Sequence, residues 1–385
     1  MKINYKKYDA VVIGAGCAGA TIANRLANTN KRVLVIDKRP HIAGNAYDYF
    51  DQDKIIIHQY GPHIFHTNYQ EVFNFLKKFS PFFKYEHRVL GNLDNKLVPV
   101  PFNFKSLELT HPKKEASQIK KLLLKYFKGQ TRVSIFELLN HKDPTIKKFG
   151  QFVFDKVFAY YTAKQWNIKI KDIDKSVINR VPVVLGYQDT YFGDKYQFMP
   201  SHGYTYMFKN MLRHKNITVK LSTNITKHIK FKNKKIYLDG ELYQGKFIYT
   251  GAIDELFNYQ FGVLPYRSLD IKLSKIKKTY YQKAATVNYL TSEKFTRISE
   301  YKYFLKQNIK GKTVIAKEYS KAYSLKGKTD PYYPINNTKN NAMYLKYKKL
   351  ADTYHIYLSG RLAEYKYYNM DLAILNALQL VKKIK

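Results

Sequence analysis

The segment Gly14-Ala15-Gly16-Cys17-Ala18-Gly19 sets the strictest limit on how this chain folds. It is a G-x-G-x-x-G, and its surroundings give it force. The apolar run Tyr8–Ile13 precedes it and reads as a short buried strand. A helical pattern follows from Ala18 to about Thr29, and a second apolar run, Arg32–Ile36, ends in Asp37. Strand, glycine turn, helix and strand within about thirty residues make a βαβ unit. In such a unit Gly14 permits the tight turn, Gly16 lets backbone N–H groups approach a pyrophosphate, and Gly19 lets helix pack on strand. The helix N-terminus adds partial positive charge for the phosphates. Asp37, 18 residues beyond Gly19, can accept hydrogen bonds from an adenosine ribose. A glycine turn in an ordinary α/β protein is the plainer alternative; the spacing favours a dinucleotide site.

Charge is the outlying feature of the composition. Lys and Arg number 67 against 29 Asp and Glu, a net charge of +38, which raises a nucleic-acid reading at once. Only ten of the 67 are Arg, however, and no nucleic-acid module is recognisable. Recognition of phosphates and base edges favours the bidentate Arg fork, so no specific nucleic-acid partner is expected. The Lys-rich patch of Lys230, Lys232, Lys234 and Lys235 reads as a solvated face. One cysteine, Cys17, excludes an intramolecular disulfide and fits a reducing compartment. There is no apolar run long enough to span a membrane and no cleavage site after the N-terminal apolar run. A cytoplasmic location is the expectation. His63 and His66 form an H-x-x-H without a third ligand cluster, so no metal site is expected.

Further along, helical spacing marks 116–127 and roughly Thr145–Gln165, a mostly helical insertion. From about Pro182 the pattern turns to alternation. Ile217, Val219 and Leu221 alternate with polar residues, as do Ile229 and Phe231 before a polar turn at Asn233 and Ile236 and Leu238 after it. Lys246–Thr250, Ala284–Leu290, Thr313–Glu318 and His355–Leu358 are further strands, and Met370–Ile384 a closing helix.

Two resemblances sharpen this. Lys38-Arg39-Pro40-His41-Ile42-Ala43-Gly44-Asn45-Ala46, a basic residue and small-residue turn just past the acid, resembles the cofactor loop of FAD proteins of the glutathione-reductase and amine-oxidase type. The late Ser359-Gly360-Arg361 before the last helix fits the same pattern and favours FAD over NAD. More specifically, KRPHIAGNAYD (38–48), YGPHIFHTN (60–68), YYTAKQW (160–166), TYFGDKYQFMP (190–200), YRSL (266–269), FTRISEYKYF (295–304), DPYYPIN (330–336) and SGRLAEYKYYNMDLAI (359–374) resemble prokaryotic UDP-galactopyranose mutases, in order along nearly the whole chain. The resemblance implies an α/β fold: a Rossmann-like FAD-binding domain (1–85, 200–255 and 335–385), an inserted helical domain (104–170) and an antiparallel β-sheet domain (86–103, 171–199 and 256–334). It also implies the interconversion of UDP-galactopyranose and UDP-galactofuranose, by attack of reduced-flavin N5 on the anomeric carbon with departure and recapture of UDP. The product would supply galactofuranose for cell-surface polysaccharide.

Its site residues follow by resemblance. Gly14, Gly16, Gly19, Asp37, Lys38, Gly44, Asn45, Gly360, Arg361 and Met370 would hold FAD. Arg180 and Arg297 would grip the diphosphate from opposite sides, Arg180 on a closing segment, with Arg267 a further cation near the cleft. His63 would face the flavin, and His66 is balanced between that and loop packing. Tyr161 would stack on uracil, with Phe158 and Thr162 shaping that pocket, and Asn288 and Asn369 would also contact the substrate. Trp166 would sit near the sugar or the closing segment, and Tyr191, Tyr333 (or its neighbour Tyr332) and Tyr367 would donate hydroxyls to phosphate. Two positions depart from the family pattern. Ala43 stands for a glycine, tolerable if its φ is negative, and Asn369 stands where Asp is typical, with the shape kept and a charge lost. The resemblance also implies an external reductant such as NAD(P)H and is compatible with a homodimer. An N-acetylated or other UDP-sugar and an amine-oxidase-like flavin oxidoreductase are the competing readings.

Overall fold

A computed structural model of the chain describes residues 3–166, 182–327 and 329–384, with the side chains of residues 165 and 166 excepted. The runs Ala10–Ile13 and Val33–Ile36 are buried along their whole length, as strands covered on both faces must be. They form the centre of a five-stranded parallel sheet ordered Ile217–Lys220, Val33–Ile36, Ala10–Ile13, Lys246–Tyr249, Tyr357–Leu358. The alternating segment at 217–221 is an edge strand of this parallel sheet, partly exposed along its length. The helix Cys17–Ala27 leaves the glycine turn and packs against the closing helix Met370–Ile384.

A second sheet has seven strands, ordered 333–334, 266–276, 313–322, 297–300, 286–289, 89–93 and 96–100. The sheet is antiparallel, as expected, except that 286–289 runs parallel to 89–93. The strand at 89–93 arrives from a distant part of the chain, so no hairpin fixes its direction. Between the sheets in sequence lies the helical insertion, whose helices start where their caps dictate. Asn103 and Ser106 form a capping box, as do Ser134 and Glu137, and Asp143 caps a helix with Pro144 in its first turn. The helix expected over Thr145–Gln165 is interrupted by a π-helical turn, Phe154–Ala159. A π turn takes an extra residue and so rotates Tyr160–Trp166 relative to the helix before it.

The Lys-rich segment is a three-stranded sheet, Ile229–Lys232, Lys235–Leu238 and Glu241–Tyr243. Its first turn, Asn233-Lys234, has both φ values positive (50° and 55°), the geometry of a tight two-residue hairpin. Phe231 lies on the inner side, against Phe257 and Tyr354.

Candidate functional site

One cavity of about 450 Å³ runs from the glycine turn across the join between the two sheets. At its first end the backbone is shaped so that only glycine fits. A Cβ on Gly14 (φ +105°) would lie 2.0 Å from Thr250 Oγ1, and one on Gly19 would lie 1.8 Å from the Gly14 carbonyl oxygen. Gly16 and Gly44 face each other so closely that a Cβ on Gly44 would approach the Gly16 Cα to 3.0 Å. Gly360 (φ +103°) closes on the same place, with its Cβ position 3.4 Å from the Ala18 methyl. Asp37 stabilises the turn it follows: Ala15 N–H donates to Oδ2 at 2.8 Å and Arg39 N–H to Oδ1 at 2.9 Å. Ala43 is left-handed, φ +71°, so the negative φ that would ease a methyl there is not what the chain adopts. Its N–H donates to the Ala15 carbonyl at 2.9 Å, and this bond to the glycine turn holds the strained backbone in place.

The two basic residues after Asp37 divide their work. Lys38 lines the cavity but is tied to Glu255, with Nζ–O distances of 2.8 and 2.9 Å. Arg39, which sequence reasoning did not single out, is the more deeply placed cation. It donates to Asn45 Oδ1 and to Asp330 Oδ1 at 2.8 Å and stacks 4.2 Å from the Tyr60 ring centroid. Met370, the first residue of the closing helix, also reaches the cavity wall.

At the far end the strands of the large sheet deliver the charge. Arg297 Nε donates to Glu318 Oε2 at 2.8 Å. Burial works against the Arg297 charge, and the neighbouring Glu318 carboxylate more than compensates, so its pKa is raised. Glu318 is 1% exposed, and its other oxygen, Oε1, has no hydrogen-bond partner among the described residues. Arg267, 8% exposed, has its pKa pulled down to about 10 by burial and still carries its charge at neutral pH. Arg361 is fixed by the carbonyls of Tyr368 (3.0 Å) and Tyr332 (3.1 Å) and lies 4.5 Å from the centroid of Tyr333. Tyr333 in turn stacks on Tyr367, with centroids 4.9 Å apart. Tyr332, next to Tyr333 in the chain, also lines the cavity but is only 6% exposed.

Beside these cations is an aromatic and polar wall, with Asn288 paired to Arg297 on the adjacent strand. Tyr161 Oη donates to Asn288 Oδ1 at 3.3 Å, and Tyr191 takes its place through a backbone bond to the His87 carbonyl at 2.8 Å. Burial raises the pKa of both phenols, so both remain donors at neutral pH. His63 Nδ1 lies 2.8 Å from the Gly61 carbonyl, which only accepts, so that nitrogen carries the proton. Burial lowers the His63 pKa to about 3, and Nε2 of the neutral ring is therefore a free lone pair. His87, also unforeseen, is buried in the same wall and likewise pushed down to about 3. His66 lies against Phe192, ring centroids 3.7 Å apart, and its Nδ1 is 2.9 Å from Asp194 Oδ2.

Not every expected residue reaches the cavity. Phe158, expected near the base, is packed in the core of the helical insertion, 6% exposed, and Thr162 is buried off the cavity wall. Arg180 lies outside the described residues, as does the side chain of Trp166. Among the described residues no cluster of three metal-ligating side chains occurs.

Comparison with known proteins decides what this arrangement belongs to. A sequence model for the family described as UDP-galactopyranose mutase matches residues 156–367, and one for an NAD(P)-binding Rossmann-like domain matches residues 12–79. The UDP-galactopyranose mutase of Mycoplasma genitalium is 37% identical over 99% of this chain and 96% of its own length. The chain belongs to the UDP-galactopyranose mutase family. Another relative, the dTDP-fucopyranose mutase of Escherichia coli, is 34% identical over 96% of both chains. In fold the chain is similar to a crystal structure of reduced UDP-galactopyranose mutase, with a TM-score of 0.71 and 16% identity, covering 98% of this chain and 95% of that one. A putative protoporphyrinogen oxidase from Exiguobacterium shares the fold at a TM-score of 0.66 and 11% identity, covering 97% and 98%.

Membership of the UDP-galactopyranose mutase family implies a flavin, and the cradle fits one. Gly14, Gly16, Gly44 and Gly360 leave bare backbone where a Cβ would intrude, at the start of the helix Cys17–Ala27. The thiol at that helix start is no competing nucleophile, since burial pushes Cys17 up to about 12. Asn369, the departure from the family pattern, lies on the cavity wall with Nδ2 3.5 Å from His66 Nε2.

Proposed function

We propose that this protein interconverts UDP-galactopyranose and UDP-galactofuranose with reduced FAD in the glycine cradle. The observation that carries the reading is the single cavity, which joins a dinucleotide cradle to a wall holding Arg267, Arg297 and Arg361. When bound and reduced, the flavin supplies a nucleophilic nitrogen, so the protein itself needs no nucleophile. What the chain supplies is electrostatic. The leaving diphosphate carries about two negative charges, and guanidinium groups beside it stabilise departure and hold it for recapture. Arg297 serves this from its Glu318 anchor, Arg180 from outside the described residues, and Tyr191, Tyr333 and Tyr367 add hydroxyl donors. Tyr161, backed by Asn288, offers its ring to the uracil. The lone pair of His63 Nε2 accepts a hydrogen bond from the flavin side without adding charge there. Galactofuranose so formed would supply a cell-surface polysaccharide, and an external reductant such as NAD(P)H would keep the flavin reduced. The three-part division of the chain given above is the framework for this reading, with the homodimer its proposed assembly.

The test is product identity. FAD-loaded protein reduced with dithionite should convert UDP-galactofuranose to UDP-galactopyranose, resolved by chromatography; no conversion sinks the reading. A second sugar nucleotide has support from the 34% identity to a dTDP-fucopyranose mutase. Parallel assays with the dTDP-fucose pair and an N-acetylated UDP-sugar, compared by kcat/KM, separate these substrates.

A further inference from the structure

The Lys-rich sheet carries charge in an arrangement that a solvated face does not require. From residue 195 to residue 238 the chain contains ten Lys or Arg and no Asp or Glu. Pairing register shows where four of these cations go. Lys232 stands directly opposite Lys235, and Lys230 opposite Tyr237, which is itself opposite Leu242. Residues directly opposite share a face, so Lys230, Lys232 and Lys235 surround Tyr237 and Leu242 on the side away from the inward-facing Phe231. The lysines are exposed, Tyr237 and Leu242 are half-buried, and Lys234 projects at the turn.

Like charges directly opposite one another destabilise a sheet, and nothing nearby relieves them. Among the described residues none of Lys227, Lys230, Lys232, Lys234 and Lys235 is ion-paired. The two acids at the other end of this sheet are engaged elsewhere, Asp239 with His228 at 2.8 Å and Glu241 with Lys6 at 3.3 Å.

We propose that the outer face of this three-stranded sheet is a docking surface for an anionic lipid bilayer. The chemistry selects a bilayer over nucleic acid. Of the ten cations only Arg213 offers the bidentate fork that phosphodiester recognition favours. Lysines are compact point charges suited to a diffuse field of headgroups, and their stems with Tyr237 and Leu242 supply an amphipathic centre that settles at headgroup level. The face needs no membrane-crossing helix, and among the described residues there is none.

The experiment is vesicle flotation of the full-length flavoprotein with phosphatidylcholine alone and with phosphatidylcholine containing 30% (roughly, within the usual anionic range) phosphatidylglycerol. Binding is expected to the anionic vesicles only. The variant K230Q/K232Q/K234Q/K235Q should lose it by about a hundredfold or more, at about fivefold per lysine. Its melting temperature should not fall, because opposed like charges are removed. A control that removes the same charge from the exposed side of one helix, K113Q/K114Q/K121Q/K125Q in Lys113–Tyr126, should keep most of the binding. Equal loss in both variants overturns the proposal in favour of net charge alone. No binding to anionic vesicles overturns it too, as does binding to duplex DNA that is tighter at equal salt and lost in the sheet variant.

Discussion

Arg297 and Glu318 form the pair on which the cavity's charge depends. Glu318 is buried, but the Arg297 side chain is 28% exposed, so a guanidinium left uncompensated is partly solvated. Removing Glu318 costs less than the ~3–5 kcal/mol of a fully buried pair, on the order of 1–3 kcal/mol. Glu318→Ala is therefore expected to lower stability by that order in urea denaturation and to lower kcat/KM as Arg297 loses its anchor. Arg297→Lys keeps a charge without the fork and should reduce kcat/KM by about 100-fold in the mutase assay. A second residue-scale prediction concerns pH. His58 and His87 are 1% and 4% exposed, and burial lowers both to about 3. In the unfolded chain each titrates near the ordinary histidine value, so between about 6.5 and 3 the unfolded state binds the extra protons. Stability is thus complete above that window and falls as pH drops through it, by up to about 1.4 kcal/mol per pH unit for each histidine. Urea midpoints at pH 7, 5.5 and 4.5 (roughly spanning that window) check it, and His58→Gln should remove about one proton from the slope. At this scale part of the cavity wall was legible in the motifs: Arg297, Arg361 and Tyr333 all line it. Glu318 was read only as the end of a strand, because burial and an Arg partner from a neighbouring strand leave no mark in local sequence. Phe158 shows the reverse, a residue expected at the uracil pocket that packing claims for the helical core.

The glycine turn and its helix separate binding from folding. A methyl on Gly16 meets nothing closer than the Gly44 Cα at 3.5 Å, whereas one on Gly19 collides with the Gly14 carbonyl. Gly16→Ala is accordingly expected to fold with little change in melting temperature but to purify with depleted flavin, read from the absorbance ratio of flavin to protein. Gly19→Ala should lose stability itself, since helix and strand can no longer approach. The βαβ unit, the closing helix and the hairpin were all readable from periodicity and turn residues. The parallel pairing of 286–289 with 89–93 was not, because register between distant segments is set by the packed core and not by any turn. The π turn at Phe154–Ala159 escaped for a related reason: one extra residue in a helix leaves the apolar spacing nearly intact.

Over the whole molecule, +38 surrounds a cavity meant for an anion. Such a field raises the encounter rate of charged substrates and is screened by salt. For an anionic sugar nucleotide, kcat/KM should fall several-fold between about 20 and 300 mM salt while kcat stays nearly constant, as stopped-time assays at fixed flavin loading would show.

The cradle is also a statement about timing. Its walls come from residues 14–44, from Thr250 and from Gly360, the last within 3.4 Å of Ala18. The strands Ala10–Ile13 and Val33–Ile36 are made more than 300 residues before the sheet edge at Tyr357–Leu358 and the helix from Met370 that covers Cys17–Ala27. At about 5–20 residues per second, the apolar face of the first helix waits tens of seconds for its cover. A cradle that needs Gly360 is incomplete until that residue is made, and chains halted before residue 355 should emerge colourless and dependent on chaperones.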